Sequence, residues 1–401
     1  MSAVYKQRVA EVDQLLAEPK LDFKKVRAFS FDHGIPEGAG RRATVWKILL
    51  DYLPCDVSEW PKCLAKTRKT YQEFVEEIII NPHEQANNDH PLNPNPDSQW
   101  NAYFKDNGIL GQIDKDVRRL CPDISFFQQA TPYPCPSLAM GKLQGIESLS
   151  ERVERTCLES AQVETSRMGL TRNATAHKIP EEEIEPYKLL PKGQEAHWQV
   201  VERILFIYAK LNPGIGYVQG MNEVIGPIYY VFAGNTPPEW QEHAEADAFF
   251  CFTSIMSEIK DNFIKTLDDS ACGIGAMMVQ LMELLQKCDK PLHDLLVEKQ
   301  HLSPQFYAFR WLTLLLSQEF QLPDLIRLWD SFLAERSCFD FLIYTCCAMI
   351  VVQRDKLMEN DFAHNMKLLQ NYPDIDVHVL LRKAIEIKER YELEHQDVLA
   401  R

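Results

Sequence analysis

Arg119 closes the run Ile113-Asp-Lys-Asp-Val-Arg-Arg119, and Gln219 sits inside Tyr217-Val-Gln-Gly-Met-Asn222. Side chains of these two types meet the needs of phosphoryl transfer to water: a guanidinium neutralises charge that builds on the transferring group, and a carboxamide aims the attacking water. The planar fork of arginine contacts two oxygens at once, which a lysine ammonium does not. An arginine used in this way is worth roughly a thousandfold to a hundred-thousandfold in rate, or about 4 to 7 kcal/mol of barrier. Each residue also has an ordinary use. Arginine in D-x-x-R is commonly the partner of a surface carboxylate, and a loop glutamine commonly bonds local backbone. Arg118 offers the same chemistry one position earlier, and residue type alone does not separate the two.

Around these residues the sequence places supporting groups. Asp116 lies one turn from Arg119 with no second carboxylate in that turn, so it suits orienting the arginine or capping backbone better than general base work. Gly214, Gly216 and Gly220 permit tight turns around Gln219. Tyr217 and Met221 read as packing residues that fix this loop. Arg42 and Trp46, one helical turn apart, suit a staple in which the guanidinium or its stem packs over the indole face. Rival chemistries are missing: no H-E-x-x-H, no G-x-S-x-G elbow and no G-x-x-x-x-G-K-[ST] loop occurs. Eleven cysteines are scattered without a C-x-x-C pair or a zinc-like histidine spacing, so they read as free thiols and no metal site is expected.

The elements that must carry these residues read as helices. Residues 1 to about 31 predict an amphipathic lead-in helix with Pro19 as its stop, followed by a helix from Arg42 to Leu53. A polar, proline-rich stretch between Asn81 and Gln99 has loop chemistry. Pro122 disfavours helix at Cys121, which places Arg119 at a helix end or on the loop that follows. Trp198, Val201, Ile204, Leu205, Tyr208 and Leu211 form a helical stripe ended by Asn212-Pro-Gly214. Beyond Gln219 the pattern predicts helices over 245–264, 273–287, 291–299, 304–320, 323–334, 339–353, 361–370 and 374–394. Period-two alternation with hairpin turns is missing, as is any fixed repeat, so the fold class is irregular all-α. Residues 131–192, with at most a short helix over 146–161, are expected to be a mobile insertion.

Composition bounds the function classes. A chain of 401 residues exceeds what one compact core usually holds, which predicts two helical subdomains in contact. A formal charge of −15 argues against general nucleic-acid binding and against broad docking on anionic lipid. No apolar run reaches the ~20 residues of a membrane span, and the N-terminus carries charges where a signal peptide needs an apolar block. The longest apolar candidate, Phe341 to Val352, reads as a buried helix. A cytoplasmic location is the expectation.

Taken in order, Arg42-Ala-Thr-Val-Trp46, Ile113 to Arg119 and Tyr217 to Met221 resemble R-x-x-x-W, I-x-x-D-x-x-R and Y-x-Q-G-M, the signature motifs of the TBC-domain Rab GTPase-activating proteins. Glu245 to Phe252, Phe309 to Phe320, Arg327-Leu-Trp-Asp330 and Leu368 to Pro373 resemble later helices of that domain, and Asp89 to Asp97 with Trp100 to Asp106 narrow the resemblance to one branch. The resemblance implies a lead-in helix over 1–33, a TBC domain over 34–390 and a tail over 391–401. It selects Arg119 as the arginine finger and leaves Arg118 a surface role. It makes Gln219 a second finger that replaces, in trans, the GTPase's own glutamine. Its partner would be a GTP-loaded Rab that supplies nucleotide and magnesium, with no cofactor of the chain's own. Membrane contact would be indirect, through the Rab, in vesicle trafficking. The alternative is a scaffold of the same fold that grips a Rab without accelerating hydrolysis.

Overall fold

The computed structural model describes residues 3–79, 99–135, 148–156, 189–191, 193–234, 236–264, 273–335 and 340–399. Every regular element among them is helical, with only two isolated bridges, Lys20 to Asp56 and Ala130 to Ala196. Most of the 131–192 insertion and the Asp89 to Asp97 stretch lie outside the described residues.

Two compact units emerge, and neither is a continuous half of the chain. One comprises Met1–Thr67, Glu223–Trp240 and Phe250–Arg401; the other comprises Arg68–Asn222 and Gln241–Phe249.

In the first unit, α1 (Ala3–Leu16) packs on α2 (Phe23–His33), which packs on α3 (Arg41–Leu49). The single lead-in helix expected from sequence is thus two helices. Pro19 ends the first, and Asp22 starts the second by accepting hydrogen bonds from the Lys24 and Lys25 amides. Helix α4 (Trp60–Ile78) runs from this unit into the second.

In the second unit, α5 (Gln99–Val117) buries Leu110, Ile113 and Val117 along one face, and this face brings α5 against α7 (His197–Leu211). A short helix, α6, covers 149–156. It lies within the span expected to be mobile, yet it is anchored: Ser150 Oγ donates to Glu202 Oε2 at 2.6 Å, and Arg152 reaches Asn107 and the Tyr103 carbonyl. Nearly all of α7 is buried, and it stops at Asn212 before Pro213.

Back in the first unit, α8 (Met221–Ala233) and α9 (Ala244–Ile259) each contribute most of their length, followed by α10 (Ile274–Cys288). The helix expected over 304–320 is broken. Ala308–Thr313 is helical, but Leu315 and Leu316 take left-handed backbone (φ 54° and 65°), and Trp329 Nε1 donates to the Leu315 carbonyl. Helix α11 (Leu322–Leu333) packs on α2 and α3, and α12 (Asp340–Val352) packs on α10 and α13 (Val377–Leu399). The apolar run at Phe341 is therefore a buried helix, as expected. The 391–401 tail is helical as far as Leu399.

Candidate functional site

Helix α5 ends at Val117, and the chain turns sharply: the Arg119 amide donates to Asp116 O and the Leu120 amide to Val117 O, both at 3.2 Å. Cys121 then adopts φ 43° ahead of Pro122. Arg119 therefore stands on the turn after the helix, and its side chain is 67% exposed. Its Nε donates to the Lys115 carbonyl at 3.0 Å and its Nη2 to Asp116 Oδ1 at 3.3 Å. Nη1 has no partner among the described residues.

The Gln219 loop is built from the end of α7. Gly216 and Ile215 amides return to Asn212 O at 2.8 and 3.0 Å, and Gly216 and Gly220 take φ 66° and 104°, backbone that side chains rarely adopt. Met221, fully buried, holds the loop from beneath: its Sδ accepts from the Val218 amide at 3.4 Å. Gln219 is exposed, and its carboxamide makes no hydrogen bond among the described residues. Met221 holds the loop by burial, and Tyr217 holds it through its hydroxyl.

Asp116 joins the two turns. Buried to 9% exposure, it holds Arg119 through Oδ1 and accepts from the Tyr217 hydroxyl at 2.8 Å through Oδ2, while its carbonyl accepts from Asn222 Nδ2 at 3.4 Å. A single carboxylate thus orients the arginine and fixes the loop that presents the glutamine. Asn222 was missed in the sequence; its place directly after the Y-x-Q-G-M run is the available signal.

Arg118 departs from its expected surface role. Its side chain is only 17% exposed, its Nε lies 3.0 and 2.9 Å from the two Asp114 oxygens, and its guanidinium sits 4.6 Å above the Trp198 ring. It is committed to packing, so the exposed arginine of the pair is Arg119.

Arg42 and Trp46 belong to the first unit and do not stack as a guanidinium on an indole. They meet at Asp330, fully buried, which accepts from Trp46 Nε1 at 2.8 Å, from Arg42 Nε at 3.2 Å and from the Ile35 amide at 2.8 Å. The Arg42 Nη2 also caps the Ile35 carbonyl. Asp330 is the missed member of this structural knot, and the run Arg327-Leu-Trp-Asp330 held the clue.

The second unit also holds buried charge. Arg203 bridges Glu195 and Glu245, and the Tyr71 hydroxyl donates to Glu245 at 2.7 Å. Burial opposes the Arg203 charge, but the two carboxylates overcome it and raise its pKa. Glu202 is pushed up to about 8 by burial, with Asp114 adding repulsion. His197, buried against Phe126 at 4.1 Å, is driven down to about 4 by desolvation. Among the described residues no cluster of side chains could hold a metal, and no helix is long and apolar enough to cross a membrane.

Residues 187–358 match the Rab-GTPase-TBC domain model. Human TBC1 domain family member 13 is 54% identical over 402 aligned residues, which cover 97% of this chain and 100% of that protein. The chain belongs to the family of TBC-domain Rab GTPase-activating proteins. The mouse TBC1 domain family member 13 is 53% identical over the same shares, and a TBC domain-containing protein of Schizosaccharomyces pombe is 38% identical over 96% of this chain and 73% of its own length. In fold, the crystal structure of the Ypt/Rab-GAP domain of Gyp1p aligns with a TM-score of 0.66 at 23% identity, covering 96% of this chain and 99% of that one. The TBC fold expected from the three motifs is therefore present, and the branch indicated by Trp100 to Asp106 agrees with the human and mouse relatives.

Proposed function

We propose that this TBC-family protein accelerates GTP hydrolysis on a GTP-loaded Rab by inserting Arg119 and Gln219 in trans. The observation that carries the reading is the pairing of two exposed, adaptable donors through one buried carboxylate: Asp116 holds Arg119 and, through Tyr217, the loop of Gln219. Arg119 would shed its 3.3 Å contact with Asp116 and turn its fork onto the β,γ-bridging and γ-phosphate oxygens, where charge develops. Gln219, with no hydrogen bond to break among the described residues, would donate to and accept from the attacking water. The Rab brings nucleotide and magnesium, so the chain needs no cofactor of its own. The description of the matching family model, Rab-GTPase-TBC domain, names the same partner class. Acting on membrane-bound Rabs, the protein would be cytoplasmic, recruited transiently, and would limit the lifetime of the active Rab in vesicle trafficking.

The test is phosphate release from a panel of GTP-loaded Rabs with the wild type, Arg119→Lys and Gln219→Ala. Acceleration of one or a few Rabs by roughly a thousandfold, lost in both variants, is the expected result. Binding without acceleration by any Rab would put the non-catalytic scaffold in its place.

A further inference from the structure

The finger turn is gripped through the residue next to Arg119. Arg118, adjacent to Arg119, spans three elements: it pairs with Asp114 one turn back on α5, lies over Trp198 of α7 and reaches Glu154 of α6 at 3.4 Å through Nη2. Helix α6 is in turn bolted to the elements that flank the turn. Ser150 bonds Glu202 on α7, Arg152 bonds Asn107 and the Tyr103 carbonyl on α5 with its guanidinium 3.5 Å over the Tyr103 ring, and Arg155 reaches the Tyr103 hydroxyl at 2.6 Å. A cationic clamp between α5, α6 and α7 thus ends one peptide bond from the residue that must reach the phosphates.

We propose that Arg118 is a positioning residue that transmits the placement of α6 to Arg119 and so sets turnover, a proposal that rests on Arg119 being the arginine finger. The physical basis is directional. Asp116 fixes the Arg119 side chain in the free protein, whereas the peptide that carries it is aimed by the Arg118 anchor. A guanidinium meets Asp114, Glu154 and the Trp198 face together because it is planar and forked; a lysine keeps the charge beside Asp114 but cannot serve all three. Displacement of a finger by about 1 Å costs up to roughly a hundredfold in rate.

The experiment is steady-state GTP hydrolysis on a Rab that the wild type accelerates, with Arg118→Lys, Glu154→Lys and each of these combined with Arg119→Ala. Arg118→Lys is expected to lower kcat about tenfold with KM within about twofold, and Glu154→Lys to lower kcat in the same sense by less, both measured well below the melting temperature of each variant. In the Arg119→Ala background neither change should lower kcat further, because the residue they position is gone. Wild-type kcat in Arg118→Lys, a loss confined to KM, or full additivity on Arg119→Ala would overturn the proposal while leaving the finger reading intact. Failure of the wild type on every Rab would overturn both.

Discussion

Removing the Tyr217 hydroxyl tests how the turns that carry Arg119 and Gln219 are held. Tyr217→Phe deletes the 2.8 Å hydrogen bond to Asp116, a residue only 9% exposed, and leaves Asp116 Oδ2 without that donor. A hydrogen bond to a carboxylate contributes about 1.5–3 kcal/mol. Were all of it spent on aiming the loop, kcat would fall about ten- to a hundredfold. The Met221 Sδ contact with the Val218 amide and the Asn222 bond to the Asp116 carbonyl survive, so the lower end is expected. Phosphate release at saturating Rab·GTP measures kcat, and thermal unfolding separates loss of fold from loss of aim. A Tyr217→Phe protein with wild-type kcat, or with a loss seen only in KM, would refute the idea that Asp116 and Tyr217 couple the two turns.

Other predictions concern stability. Glu202 binds its proton with a pKa of about 8 when folded against 4.5 unfolded, so folding gains from it below pH 4.5 and loses that gain as pH rises to 8. His197 has the opposite sense: about 4 folded against 6.5 unfolded, so its cost appears as pH falls below 6.5. The two slopes cancel between pH 4.5 and 6.5, and from pH 6.5 to 8 Glu202, unopposed by His197, lowers stability by about 2 kcal/mol in total. Urea unfolding at a series of pH values should show that decline in the wild type and not in Glu202→Gln. Asp330→Ala should destabilise the first unit by about 3–5 kcal/mol, since it strands Arg42, the Trp46 indole and the Ile35 amide, as read by urea unfolding. Gly34→Ala should cost about 1–3 kcal/mol, because its φ of 70° disfavours a side chain and the new Cβ would lie 2.5 Å from Arg327 Cδ; a wild-type melting temperature would contradict this.

The parts of the site that are local in sequence were legible, and those made by distant partners were not. Pro122 was enough to place Arg119 at a helix end or on the loop that follows, and the glycines around Gln219 predicted its turn. The spacing of Arg42 and Trp46 showed that they share a helix face but not that Asp330, far along the chain, lies between them. Arg118 looked like a surface residue because Trp198 and Glu154, which enclose it, come from other helices. In Trp311 to Leu316 every residue is buried, so periodicity was silent about the left-handed break at Leu315 and Leu316.

The central claim is that Arg119 and Gln219 act on the transition state and not on ground-state binding. The direct measurement is the affinity of the protein for a responsive Rab bound to GDP alone and to GDP with aluminium fluoride, which mimics the transferring phosphoryl group. The account predicts that the wild type binds the aluminium fluoride form at least a hundredfold more tightly, and that Arg119→Lys and Gln219→Ala each lose most of that gain while binding Rab·GTP as before. Equal affinity for the two forms, or a gain that survives both substitutions, would contradict it.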